Sequence, residues 1–331
     1  MSVGTISTLR SADNYHNYVF GIDGKYRFDD SNTLYVQTLH ADSAYPELTQ
    51  QTDSSDKLTD QAYKIELTHN SEYWQLYAGH KNIGKAFRAD LGFMPRVDLE
   101  RDYLQATRLF YGETTDFWHR YSLSGRLIIR RNQNNELMDR TVSTNINLEG
   151  PLQSYMQIKY INSSKVGVRQ DNTNNHITNN ADMFEVNQWQ LSANFYPLKQ
   201  LYSAINITLG DEIDYDNNRL GKVKAIHNHT TWNINTRLEL DLEQHYRQLN
   251  VGNNTVFTAY LTDVRLAYQF NLQSYIKLNL LYNYVDYPEN NTVEKSLSTQ
   301  LIYGYKINPQ TVFYLGYSDN HYQDMYSERL R

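Results

Sequence analysis

The sequence predicts an all-β chain, an antiparallel up-and-down transmembrane β-barrel of about 16–18 strands. Three observations predict it. Apolar and polar residues alternate with a period of two in segment after segment. The apolar parity is rich in tyrosine, of which the 331 residues hold 29. Polar connectors of alternating length separate the segments.

Taken in order, Tyr18, Phe20, Ile22, Tyr26 and Phe28 oppose Asp23, Lys25 and Arg27. Weaker copies follow at 33–42, 60–69, 72–80, 99–112 and 118–131. Val142, Thr144, Ile146 and Leu148 oppose Ser143, Asn145 and Asn147, with weaker copies at 152–162, 184–196, 201–212 and 220–235. Leu238, Leu240, Leu242 and Tyr246 oppose Arg237, Glu239, Asp241, Glu243, His245 and Arg247. A copy at 256–270 leads to Leu272–Tyr284, where Ile276, Leu278, Leu280, Tyr282 and Tyr284 oppose Lys277, Asn279 and Asn283. Leu297, Thr299, Leu301, Tyr303 and Tyr305 oppose Ser296, Ser298, Gln300 and Lys306, and 310–319 closes the series. The count is about 17, at roughly 20 residues per strand and connector. Single-chain bacterial barrels have even numbers, so one strand is expected to be missed or missing.

Short connectors are expected at Asn271-Leu272, Asn308-Pro309 and Pro197-Leu198. Long ones are expected at Tyr45–Asp60, Gly167–Met183 and Asp211–Leu220, and the run Asp171–Asn175 reads as a solvated loop. No linker divides the chain, so 1–331 reads as one domain. Pro95 cannot donate to a ladder and marks a turn or bulge, with Arg96 and Asp98 available to pair locally.

A soluble β-sandwich also alternates, but its inner faces are packed with Val, Ile, Leu and Phe. The parity from Arg237 to Arg247 cannot enter a dry core, where an unpaired charge costs several kcal/mol. In a wide barrel that face lines water. No stretch approaches the roughly 18 apolar residues of a membrane helix. The net charge is −6 with both signs interspersed, unlike a nucleic-acid surface. The absence of Cys excludes disulfides, thiolate metal sites and cysteine nucleophiles. Met1–Thr5 shows no basic region followed by an apolar one, so no signal peptide is visible and the sequence reads as mature or truncated.

The phrase Phe87-Arg88-Ala89-Asp90-Leu91-Gly92-Phe93-Met94-Pro95-Arg96-Val97-Asp98 resembles the C-terminal barrel domain of a family of uncharacterised outer-membrane proteins. Ser2–Thr5 and Thr311–Asp319 are similar to the same domain. The family typically carries a family-9-type carbohydrate-binding module before the barrel. The resemblance implies the cell outer membrane of a Gram-negative bacterium and a connection to carbohydrate. It also implies a fragment: no such module precedes the barrel, and the chain ends Tyr326–Arg331 without a strand closing on an aromatic residue.

Candidate chemistry is sparse. His227 and His229 share a parity as an H-x-H metal pair would, but zinc needs three or four ligands and the sequence offers no third. Asp211, Glu212, Asp214, Asp216, Asn217 and Asn218 are oxygen-rich but lack EF-hand spacing, so a solvated acidic loop is expected rather than calcium. No metal or cofactor is expected. Asp23, Lys25, Arg27, Arg237, Glu239, Asp241, Glu243, Arg247 and Lys277 are expected to line the lumen, either selecting solutes or stiffening the wall by cross-strand ion pairs. Trp74, Trp189, Tyr282, Tyr284, Tyr303 and Tyr305 are expected at the lipid interface, as girdle rather than sugar platforms; Trp118 and Trp232 fall near strand ends. Glu239 and Glu243 share a parity and leave a hydrolase open, although no G-x-S-x-G is present. The leading expectation is a porin-like or anchoring barrel for surface carbohydrate or small solutes, with outer-membrane lipid as its partner. The alternatives are the hydrolase and a structural barrel holding another protein.

Overall fold

The computed structural model describes residues 1–45, 57–167, 183–308 and 310–326. Its strands are β1 Ser2–Ala12, β2 Tyr15–Arg27, β3 Asn32–Ala44, β4 Lys57–Asn70, β5 Trp74–Ile83, β6 Leu99–Tyr111, β7 Arg120–Arg131, β8 Leu137–Gly150, β9 Ser154–Val166, β10 Met183–Leu198, β11 Leu201–Asp214, β12 Arg219–Asn233, β13 Leu238–Val251, β14 Asn254–Gln269, β15 Ser274–Tyr287, β16 Thr292–Asn308 and β17 Thr311–Tyr326. The seventeen strands form one sheet in which each pairs with the next in chain order. This is the all-β, antiparallel, up-and-down barrel class expected from the sequence. A single 3-10 turn, Pro288–Asn290, is the helical content of the described residues, and no helix among them is long and apolar enough to cross a membrane.

The strand the alternation does not reveal is β1. Val3 and Leu9 share one of its parities and Ile6 takes the other, so neither face stands out as apolar. Its register with β2, from Ser2↔Lys25 to Ala12↔Tyr15, makes it a strand. Two-residue connections turn on residues that tolerate positive φ: Asn14 (φ 56) between β1 and β2, and Gly252 (φ 59) between β13 and β14.

The chain packs as two compact units that interleave in sequence. Unit 1 is Met1–Phe110, Ser122–Thr144 and Ile161–Glu185; unit 2 is Tyr111–Tyr121, Asn145–Tyr160 and Val186–Arg331. In unit 1 the connections 45–56 and 84–98, leaving β3 and β5, are long, and 13–14, 28–31 and 71–73 are short. In unit 2 the connections from β10 to β16 have only two to four residues. The expected long connector Asp211–Leu220 is mostly strand: only 215–218 lies outside β11 and β12, because cross-strand ion pairs hold the acids in the ladder. The expected turn at Pro197-Leu198 belongs to β10, and the chain reverses at Lys199-Gln200. Leu272 leaves the strand and is 93% exposed in the 270–273 turn. Residues 46–56, 168–182 (with Asp171–Asn175), Pro309 and 327–331 lie outside the described residues.

Pro95 lies between β5 and β6 as expected, in a connection of 84–98 that is longer than a turn. This connection folds onto the face of β2–β5 that carries Val19, Ala41, Ala62 and Ile83, and buries Phe87 completely among them. Ala89, Met94, Val97 and Leu99 pack around the same seat. Polar contacts pin the loop. Asn17 donates from Nδ2 to the Arg88 carbonyl at 3.1 Å and accepts the Asp90 amide at 3.0 Å. Asp60 accepts the Ala86 amide at 2.8 Å. The Asp90 carboxylate accepts the hydroxyls of Tyr15 at 2.5 Å and Tyr45 at 2.8 Å. Asp98 accepts the Gln133 amide at 2.8 Å, across 35 positions of sequence rather than locally.

Candidate functional site: two charged sheet faces

Opposed residues of an antiparallel ladder point to the same face, so register converts sequence parity into rows of side chains. In unit 1 one row reads Asp23↔Gln37↔Lys64↔Lys81↔Arg101. The next reads Lys25↔Tyr35↔Glu66↔Gly79↔Tyr103, and a third Arg27↔Thr33↔Thr68↔Tyr77↔Gln105. Asp23, Lys25 and Arg27 therefore stand beside a basic group that the sequence reading missed. Lys64 reaches Glu66 at 2.7 Å and lies 5.0 Å from the Tyr35 ring centroid. The Tyr77 hydroxyl donates to Glu66 as well. Lys64, Lys81 and Arg101 are directly opposed like charges, an arrangement that costs stability unless something anionic relieves it. Buried Arg101 Nε has no hydrogen-bond partner. The available signal was a cation at or beside three consecutive weak segments (Lys64 in 60–69, Lys81 just past 72–80, Arg101 in 99–112), visible only once register aligned them.

In unit 2 one face carries Glu239, Asp241, Glu243, His245 and Arg247 along β13. Opposite them on β12 stand Asn233, Thr231, His229, His227 and Ala225. On β14 they face Ala267, Arg265, Asp263, Leu261 and Ala259, and Lys277 of β15 faces Ala267. Arg237 precedes β13, and with Glu239, Tyr268, Tyr275, Lys277 and Lys306 it lines an open cleft of about 350 Å³. Further along, Asp241 accepts from Thr231 at 2.9 Å and contacts His229 Nε2 at 3.0 Å. Arg265 donates to Asp263 at 2.5 Å, and Arg247 donates to Glu212. The supposed oxygen-rich loop is thus divided among cations: Asp211 with Lys222, Glu212 with Arg247, and Asp214 with Arg219 at 2.7 Å.

His227 and His229, the pair suggested by sequence, serve different partners. His229 goes to Asp241, whereas His227 shares Glu243 with His245 of the next strand. Glu239 and Glu243 lie four residues apart on one strand, roughly 14 Å along it. That exceeds the roughly 5–9.5 Å carboxylate separations of glycoside hydrolysis.

The opposite face is mainly apolar on β13–β16, interrupted by Gln244, Thr262 and Thr299; on β12 it also carries Lys222, Lys224 and Asn228. Tyr246, Tyr260 and Tyr284 form one cross-strand row, with ring centroids 5.0 and 5.9 Å apart. Tyr268↔Ile276↔Tyr303 forms another, with Tyr305 two residues beyond Tyr303 on the same parity. Between them lie Leu240, Leu242, Val264, Leu266, Leu278, Leu280, Tyr282, Leu297 and Leu301. Trp189 of β10, 56% exposed, is on this face, and Trp74 opens β5, also exposed. Trp118 precedes β7, and Trp232 lies within β12 opposite Leu240.

No family model matches the chain, and no curated protein does. Solved structures that align with it include Salmonella typhi OmpF in complex with daunomycin (13% identity, TM-score 0.40, 84% of this chain and 87% of that one). OmpT, an outer membrane protein of Vibrio cholerae, aligns at 11% identity and TM-score 0.41, covering 97% and 95%. The siderophore receptor PiuA from Acinetobacter baumannii aligns at 12% identity and TM-score 0.44, covering 93% and 64%. The functional reading rests on this chain's own side chains.

Proposed function

We propose that the chain is an outer-membrane pore of porin-like type. Its leucine- and tyrosine-rich face meets lipid, and its charged face lines a watery passage for small polar solutes. The observation that carries the reading is the two-faced ladder of β13–β16. From Tyr260 to Tyr268 the two aromatic rows stand eight residues apart, about 27 Å along a strand. At a tilt of 35–45° that is roughly 20 Å of depth, close to the ≈ 25 Å apolar band of outer-membrane barrels. Such a face in water would be a very large exposed apolar patch, whereas the charged face behind it needs solvent. Trp74, Trp189, Tyr282, Tyr284, Tyr303 and Tyr305 are the proposed interfacial aromatics. Asp23, Lys25, Arg27, Arg237, Glu239, Asp241, Glu243, Arg247 and Lys277 are the proposed lining charges. The basic row Lys64, Lys81 and Arg101 suits solutes carrying carboxylate or phosphate. Handling of carbohydrate is supported by the sequence resemblance alone.

Conductance of the purified chain in planar bilayers tests this. Discrete open-channel currents are expected, and Lys81→Glu should move the reversal potential in a salt gradient toward cation preference. A chain that inserts but stays silent, or one that is soluble and monomeric without detergent, would overturn the proposal.

A further inference from the structure

We propose that His227, Glu243 and His245 form a binding site for one divalent transition ion of the zinc, copper(II) or nickel class. Register builds it: His227 and His245 are directly opposed on β12 and β13, and Glu243 lies two residues from His245 on the same face. Both imidazole Nε2 atoms approach one carboxylate oxygen, Glu243 Oε1, at 3.0 Å. The two rings stack with centroids 4.1 Å apart and planes 7° from parallel, so their Nε2 atoms face the same way. One ligand atom from each residue lies within 4.8 Å of the other two.

That arrangement is one side-chain rotation from a coordination shell. Two donors each about 2.0–2.1 Å from a tetrahedral zinc stand roughly 3.3 Å apart, so the two 3.0 Å edges need open only slightly, and the imidazoles must turn out of their parallel stack for both lone pairs to meet the ion. Two imidazoles with a carboxylate are a three-ligand zinc set that leaves a position for water or solute. Imidazole donors favour zinc, copper and nickel over calcium and magnesium, which take oxygen.

Electrostatics point the same way. Glu243 is directly opposed by Asp263 on the following strand. Two carboxylates face each other there, and Arg265 is bonded to Asp263. A dication relieves that excess. The side chains of His227, Glu243 and His245 are between a third and a half exposed, which leaves an entry path. The sequence hid the site because H-x-H suggested His229, whose ring is taken by Asp241.

The test uses the whole chain folded in detergent micelles, with copper(II) read by electron paramagnetic resonance and zinc by calorimetry. One equivalent should bind, and the copper spectrum should show two nitrogen donors. His227→Gln or His245→Gln should leave one nitrogen and weaken binding at least tenfold, the lower end of what even loss of a ligand's hydrogen-bond partner costs. Glu243→Gln should weaken binding with both nitrogens kept, and His69→Gln on β4 should change nothing. Should the wild-type copper spectrum lack two nitrogens, or zinc bind equally well to the His227→Gln/His245→Gln double variant, the site does not exist. Metal binding in micelles requires no conduction, so a silent pore and an absent site are separate failures.

Discussion

Phe87→Ala tests whether the 84–98 loop is a discrete element seated on the β2–β5 face that carries Val19, Ala41, Ala62 and Ile83. Phe87 is fully buried against Val19, Ala41, Ala62 and Ile83, whereas Phe93, six residues on in the same loop, is 93% exposed. Truncating a buried phenylalanine costs about 3–5 kcal/mol in transfer and cavity energy. If the seat holds only the loop, that cost falls on the equilibrium between docked and released loop. At 1.4 kcal/mol per decade, release then rises roughly 100- to 4,000-fold. Amide exchange read by mass spectrometry should show it at Ala86, Phe87, Asp90, Gly92 and Asp98, whose amides are bonded in the docked state. Strands β2–β5 should keep their protection, and Phe93→Ala should match wild type. Unchanged exchange in Phe87→Ala would refute the seat. Equal loss of protection through β2–β5 would show that Phe87 holds the sheet rather than the loop.

Two further predictions follow. Leu280→Arg, in the middle of the apolar face, should cost about 2–4 kcal/mol in denaturant-dependent refolding into lipid vesicles. Asn279→Arg, one residue away on the charged face, should cost far less and instead shift selectivity toward anions; equal costs would refute the assignment of faces. Burial, followed by the hydrogen bond to Asp90, pushes the Tyr45 phenol well above its ordinary 10.0. The docked loop therefore holds that proton more tightly than the released loop. Its stabilisation is fully present below pH 10 and is lost as pH rises from there toward the raised value. The chain has no native cysteine, so a spin label at Leu91→Cys reports the loop alone. Its mobility should rise above pH 10, and much less so in Tyr45→Phe; identical pH profiles would remove Tyr45 from the latch.

The sequence showed this fold wherever one strand carried both halves of the pattern. From Leu238 to Arg247 and from Ile276 to Tyr284, parity alone separates an apolar face from a polar one, and the ladder keeps that separation. It failed on β1, where three apolar residues are split between two parities and only pairing with β2 makes a strand. It failed differently at Asp211–Leu220, where acids were read as a loop. Lys222 and Arg219 hold Asp211 and Asp214 in the ladder, and a cation on another strand is invisible to a local reading. The site residues follow the same logic. Glu239, Asp241 and Glu243 stand on one strand and could be named together. The Lys64–Lys81–Arg101 row and the His227–Glu243–His245 cluster are assembled by register across strands, and a register is a relation that no single segment contains.

The 84–98 loop shows why parity is a statement about neighbours rather than about solvent. Val19, Asp23, Lys25 and Arg27 share a parity on β2, yet Val19 is buried while Lys25 and Arg27 are exposed. Asn17, on that same parity, is 1% exposed and spends its amide on Ser43 Oγ and the Arg88 carbonyl. The face therefore changes character along its length. Toward the long connections it is a dry seat of small and branched side chains that accepts Phe87. Toward the short turns it becomes charged. Lys64 and Lys81 mark the change, since each lies two residues from a member of the seat, Ala62 and Ile83 respectively. In the proposed passage, a loop docked one step from the basic row would limit how much of that row a solute can reach. Release of the loop by Phe87→Ala should thus alter conductance through the same residues that Lys81→Glu alters through charge. Combining the two substitutions would give a non-additive effect on the reversal potential if they act on one passage, and an additive one if they do not.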